Sequence, residues 1–145
     1  MGPLVVVSAG GESRLREGHL WIYRSDVAQV RASAGDLVQV VGPRSRVLGH
    51  ALYSDRSQIA LRLLTFGDQN PDTTLWQARI QAALDFRKSL VIDATAYRLI
   101  HGEADLLPSL IVDRYGDYLV VQALSQSVDR LLPELVRVLV DLTGA

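Results

Sequence analysis

The chain has 145 residues, 48% of them hydrophobic and 21% charged, with a formal net charge of −1 and no cysteine. That length allows one ordinary domain or two small ones, and that apolar content excludes a disordered chain. The absence of cysteine excludes disulfides, thiolate zinc sites and a cysteine nucleophile among these residues. No apolar run reaches the roughly 20 residues of a membrane helix. No basic segment precedes Pro3-Leu4-Val5-Val6-Val7 as a signal peptide would require. A cytoplasmic chain with no membrane partner is the expectation.

The charge is unevenly spread. Residues 1–70 carry eight Arg against six acids, whereas residues 71–145 carry six Arg and one Lys against ten acids. Arginine forks onto phosphate and stacks on bases better than lysine does. A genome rich in G and C produces the same arginine bias, so composition alone does not assign a nucleic-acid ligand.

Residues 1–70 read as a β-rich unit. Val5–Ser8 is a strand, Gly10-Gly11 breaks it, and Glu12–Glu17 forms one helical turn that Gly18 ends. Trp21–Tyr23 and Val27–Val30 are short strands. Ala34-Gly35-Asp36 turns into Leu37–Val41, and Gly42–Ser45 turns into Val47–Tyr53. The polar loop Ser54–Ser57 leads to Ile59–Leu64. Short strands with turns every ~8–12 residues predict a small barrel.

Gly67–Asp72 gathers turn formers and a proline, and marks a boundary. Beyond it the apolar period changes to 3.6: Trp76, Ile80, Ala83, Leu84 and Leu90 or Val91 fall on one helical face, with Asp72 or Thr73 as cap. Arg79, Arg87 and Lys88 fall to its polar sides. Tyr97–His101 is a strand. Leu110–Asp113 and Tyr118–Leu124 form a hairpin through Arg114–Asp117, and their apolar content predicts cover on both faces. A last helix has Leu131, Leu135, Val138 or Leu139, and Leu142 on one face. Pro133 is tolerated only in a first turn, which sets the helix start near Asp129.

Four constellations could carry chemistry. Arg14, Arg16, His19, Trp21 and Tyr23 mix guanidinium groups with rings, as surfaces that stack on unpaired bases do. The alternative places the rings in the barrel core. Tyr53 to Arg62 is either a ligand-facing loop, with Ser57, Gln58 and Arg62 presented, or a plain hairpin with a charged tip. His101, Glu103 and Asp105 share one face if extended and could bind a metal or move protons. The favoured alternative is a turn that the acids brace, so no metal is assigned. Asp113-Arg114 reads as a hairpin brace. No Gly-rich phosphate loop and no nucleophile elbow is present.

Taken together, three stretches carry a resemblance: Gly18-His19-Leu20-Trp21-Ile22-Tyr23, then Tyr53 to Leu64, then Tyr97 to Asp117. In order and spacing they resemble bacterial large-subunit ribosomal RNA cytosine-5 methyltransferases of the RlmI type, over essentially the whole chain. The resemblance implies an α+β fold. Residues 1–70 would be a PUA-like β-barrel that binds RNA, and residues 74–145 a compact α/β connecting domain. A Rossmann-like methyltransferase domain, with the S-adenosylmethionine site and the catalytic cysteine, has no counterpart in these residues.

By the same resemblance, Arg14, Arg16, His19, Trp21, Tyr53, Ser57 and Arg62 would hold structured RNA. His101, Glu103, Asp105, Asp113 and Arg114 would face a substrate cleft or the next domain. No catalytic residue and no cofactor falls in this chain. Large-subunit rRNA, the missing domain and a second copy in a homodimer are the implied partners. A stand-alone PUA-type RNA-binding protein without catalysis is the alternative. Leu20 departs from the family's proline, Ser54-Asp55 from its Asn-Pro, and Leu106 and Ser109 from its glycines.

Overall fold

A computed structural model describes residues 2–145. The chain divides into two compact units. One runs through Pro71 and takes in Ser125–Ser127; the other holds Asp72–Leu124 and Val128–Ala145. The fold class is α+β.

The first unit is a curled six-stranded half-barrel. Its strands are β1 (Leu4–Val7), β2 (Trp21–Tyr23), β3 (Val27–Arg31), β4 (Leu37–Val41), β5 (Val47–Tyr53) and β6 (Ile59–Phe66), with helix α1 (Ala9–Arg16) after β1. The sheet order is β2-β6-β5-β4-β1-β3, so β2 and β3 are its edges. Only β1 and β4 pair in parallel; every other pair is antiparallel. The period-two pattern sends Val5, Val7, Ile22, Val38, Val40, Leu61 and Leu63 inward, where they form one core with Leu15 of α1. Bulges in four of the five pairings help the sheet to curl.

The glycine pair Gly10-Gly11, read as the break after the first strand, lies inside α1, which starts three residues earlier than predicted. The cause is a tertiary anchor. Ser8 caps the helix by accepting the Gly11 N–H (3.1 Å), and its hydroxyl donates to Asp26 Oδ1 (3.2 Å). The Gly11 Cα also passes so close to the Asp26 backbone that an added Cβ would lie 3.3 Å from the Asp26 carbonyl oxygen. Glycine suits that close approach, since a Cβ would press on Val7 and Asp26, and this offsets its weak helix propensity.

The second unit has α2 (Thr73–Ser89), the three-stranded antiparallel sheet β7 (Ala96–His101), β8 (Leu110–Tyr115) and β9 (Tyr118–Ala123), and, from Val128 onward, α3 (Gln126–Thr143). Asp72 caps α2 through the Leu75 N–H (3.1 Å). Trp76, Ile80 and Ala83 are buried as predicted, but the stripe does not continue to Leu90 and Val91, which follow the helix end and are exposed. Three further expectations change. β9 is open on one face, with Tyr118 77% exposed and Val120 beside it in the alternation. Leu142 is exposed, because the buried stripe of α3 runs through Val128, Leu135, Val138 and Leu139. The last helix starts at Gln126 and carries Pro133 in its interior. Proline there removes one hydrogen bond to the carbonyl four residues earlier, and burial of the apolar stripe offsets that loss.

Candidate nucleic-acid interface

The RNA candidates of the first unit, apart from Tyr53 on β5, come from β2 and the elements that neighbour it. Backbone bonds join them: His19 N–H to Arg14 O (3.1 Å), Leu63 N–H to Leu20 O (2.8 Å), and Arg24 N–H to Gln58 O (2.8 Å). On β2 the alternation sends Ile22 into the core and leaves Trp21 37% and Tyr23 44% exposed. The reading that both rings fill the barrel is therefore corrected. Arg62 is the register partner of Trp21 on β6, and its guanidinium carbon lies 5.2 Å from the indole centroid. That cation–π contact arises because the two side chains occupy one face of paired strands.

The other candidates separate by role. Arg14 is exposed and pairs with Asp26 (3.1 Å); Arg16 pairs with Glu12 one turn back (3.7 Å); His19 lies 3.6 Å from Glu17. Ser57 is half-buried, and its hydroxyl accepts the Ile59 N–H (3.1 Å), which shapes the 54–58 loop. Tyr53 is only 6% exposed and belongs to the barrel core, so its ring supports the sheet from inside. Arg24, which the sequence reading left out, donates to the carbonyls of Ser54 (3.0 Å) and Ser57 (2.6 Å) and holds that loop to the end of β2.

In the second unit the candidates form a braced turn beside a sheet. Gly102–Asp105 is a 3-10 turn. Asp105 accepts the His101 N–H (2.7 Å) and takes both terminal nitrogens of Arg87 (2.5 and 2.9 Å). The pair is nearly buried, with side-chain exposures of 11% and 9%. Arg87 was assigned to a polar side of α2, yet it stands seven residues after Ile80, on the same face. That spacing was the signal for its burial. Glu103 accepts the Ser109 N–H (3.1 Å). His101, Glu103 and Asp105 thus do not converge, and among the described residues no group of three His, Asp or Glu is placed to hold a metal ion.

Asp113 is bridged by Arg98 of β7 (2.8 and 3.2 Å) rather than by its neighbour Arg114, which instead braces the turn through the Gly116 carbonyl (2.8 Å). The hydrogen bond from Arg98 holds the Asp113 carboxyl below the usual carboxylate range, and the same bond raises the guanidinium. His101 lies 3.5 Å from Arg98 through Nδ1, on the same open face of the sheet.

Residues 5–66 match the family model described as a PUA-like domain. The chain is 35% identical over 144 residues to ribosomal RNA large subunit methyltransferase I of Tolumonas auensis, covering 96% of this chain and 36% of that protein. It is 35% identical over 133 residues to the protein of the same name from Klebsiella pneumoniae, covering 88% and 33%. This chain is related to the ribosomal RNA large subunit methyltransferases. It spans about a third of the length of the curated relatives it matches. The fold agrees with two solved structures at 22% identity. One, described as a candidate methyltransferase complexed with SAH, aligns with a TM-score of 0.84 over 94% of this chain and 36% of that one. The other, a candidate SAM-dependent methyltransferase from Streptococcus mutans, aligns with a TM-score of 0.82. No described helix is long and apolar enough to cross a membrane.

Proposed function

We propose that this chain is the RNA-holding portion of an S-adenosylmethionine-dependent methyltransferase that modifies large-subunit rRNA at carbon 5 of cytosine in the cytoplasm. The observation that carries the reading is a PUA-like domain at residues 5–66 inside a sequence related to rRNA methyltransferases along 96% of its length. Residues 1–70 hold RNA, with Arg14, Arg16, His19, Trp21, Ser57 and Arg62 presented around β2 and Tyr53 supporting them from the core. Residues 74–145 connect to a methyltransferase part that carries the cofactor and the nucleophile. His101, Asp113 and Arg114 face the substrate side, while Glu103 and Asp105 fix the turn that positions them. The chain by itself binds and positions, and it does not catalyse.

Phosphate contacts by Arg14, Arg16 and Arg62 make binding salt-dependent. About three such contacts lose roughly twentyfold (single strand) to fortyfold (duplex) in affinity between about 50 and 200 mM salt. The test is fluorescence anisotropy with a labelled large-subunit rRNA fragment across that range. Affinity that ignores salt overturns this mode of binding. Calorimetric titration of S-adenosylmethionine into this chain is expected to give no binding heat; heat would put the cofactor site within these residues.

A further inference from the structure

We propose that β2 is a stacking edge for unpaired RNA bases, with Trp21 and Tyr23 as its two rings. The proposal rests on the RNA-binding reading above and gives that site a substrate class: single-stranded rather than duplex RNA.

The two rings stand two residues apart on an extended strand, so they leave the same face about 6.8 Å from one another. Ile22 between them is fully buried, which fixes which way both rings point. β2 pairs on one side only, with β6. Both residues reach solvent, at 37% and 44% exposure, so each leaves ring surface open to a ligand. Arg62 already lies over the Trp21 ring at 5.2 Å, a cation–π contact that is in place before any ligand arrives. A base can add to that contact from the open side of the rings, because every base has a π face, and recognition of this kind tolerates any sequence.

The surroundings favour a polyanion over an apolar protein partner. Arg62 interrupts the aromatic surface, Arg14 and Arg16 stand exposed on α1, and Arg56 is exposed in the loop that Arg24 ties to β2. Residues 1–70 carry eight Arg against six acids. Arginines so placed meet phosphates while the rings meet bases. In a duplex the bases are stacked on one another and offer no free face, so β2 selects loops, bulges and single strands.

The test compares a labelled oligouridylate of about ten nucleotides, within the usual site size for single-strand binders, with an RNA duplex of equal length. Anisotropy gives affinity and tryptophan emission reports on stacking, since the other tryptophan, Trp76, is buried. The single strand is expected to bind at least about tenfold more tightly and to quench the emission. Trp21→Ala and Tyr23→Ala should each weaken single-strand binding about tenfold, the usual scale for one stacked base, and leave duplex binding unchanged. Trp21→Phe should keep most of the affinity while abolishing the quench. If RNA binds with the expected salt dependence but these variants match the parent, the stacking edge is overturned and the RNA-binding reading stands. If neither RNA binds at low salt, the RNA-binding reading falls and the proposal falls with it.

Discussion

Ser109→Gly should stabilise the second unit. Ser109 has φ +66°, in the left-handed region, and is 3% exposed. Its hydroxyl has no hydrogen-bond partner among the described residues. A non-glycine residue in that region costs about 1–2 kcal/mol, and an unpaired buried hydroxyl about 1–3 kcal/mol. Glycine returns about 0.5–1 kcal/mol to the unfolded chain as added freedom. At the lower ends of the first two terms, the net gain is roughly 1–1.5 kcal/mol, or roughly 3–6 °C in melting temperature. The bonds that shape this segment use the backbone and survive: Ser109 N–H to Glu103 Oε1 (3.1 Å) and Leu124 N–H to the Ser109 carbonyl (2.8 Å). Thermal melts by circular dichroism, paired with urea unfolding, measure the gain. Ser109→Ala separates the two causes, because it removes the hydroxyl and keeps the strained backbone, so it should gain less than glycine does. A glycine variant no more stable than the parent would refute the reasoning.

Other perturbations test the scaffold around the candidate sites. Asp105→Ala strips the partner from a nearly buried guanidinium and leaves the His101 N–H without its acceptor; a loss of about 3–5 kcal/mol is expected, and urea unfolding with less than 1 kcal/mol lost (about a fivefold change in the folding constant) would deny the pair this role. Gly49→Ala drives a Cβ into the Thr65 carbonyl oxygen of the paired strand; a cost of about 3 kcal/mol or more is expected, and a variant that melts with the parent would show that the strands can part cheaply. Asp113 has a lowered folded pKa, so its bond to Arg98 contributes stability above the ordinary carboxylate range and loses it as pH falls through the folded value. Titration of the Asp113 carboxyl by NMR should move upward in Arg98→Gln; an unchanged midpoint would show that another group depresses it.

Much of the chain is legible from local pattern. Helical periodicity put Trp76, Ile80 and Ala83 on the buried face of α2, and the turn formers around Gly35, Gly42 and Gly116 set the strand ends, because side-chain direction in a regular element depends only on residue spacing. The Gly18–Tyr23 and Tyr97–Asp117 stretches carry the relationship to rRNA methyltransferases without any coordinates. Leu106 and Ser109, noted as departures from glycine, both adopt positive φ. The glycines of the resembling family fit that backbone demand, because glycine adopts positive φ without steric cost.

Tertiary structure alone decided the rest. Gly10-Gly11 joins a helix because Asp26 receives Ser8 and Gly11 across the fold. Arg87 meets Asp105 eighteen residues away, and Asp113 chose Arg98 over its own neighbour. Arg62 meets Trp21 only because β6 pairs with β2 in the register that sets these two residues opposite one another. Each outcome is set by a partner distant in sequence. Local propensities differ by less than about 1 kcal/mol per residue for most residue types, and a single cap, close approach or nearly buried ion pair in the folded chain exceeds that.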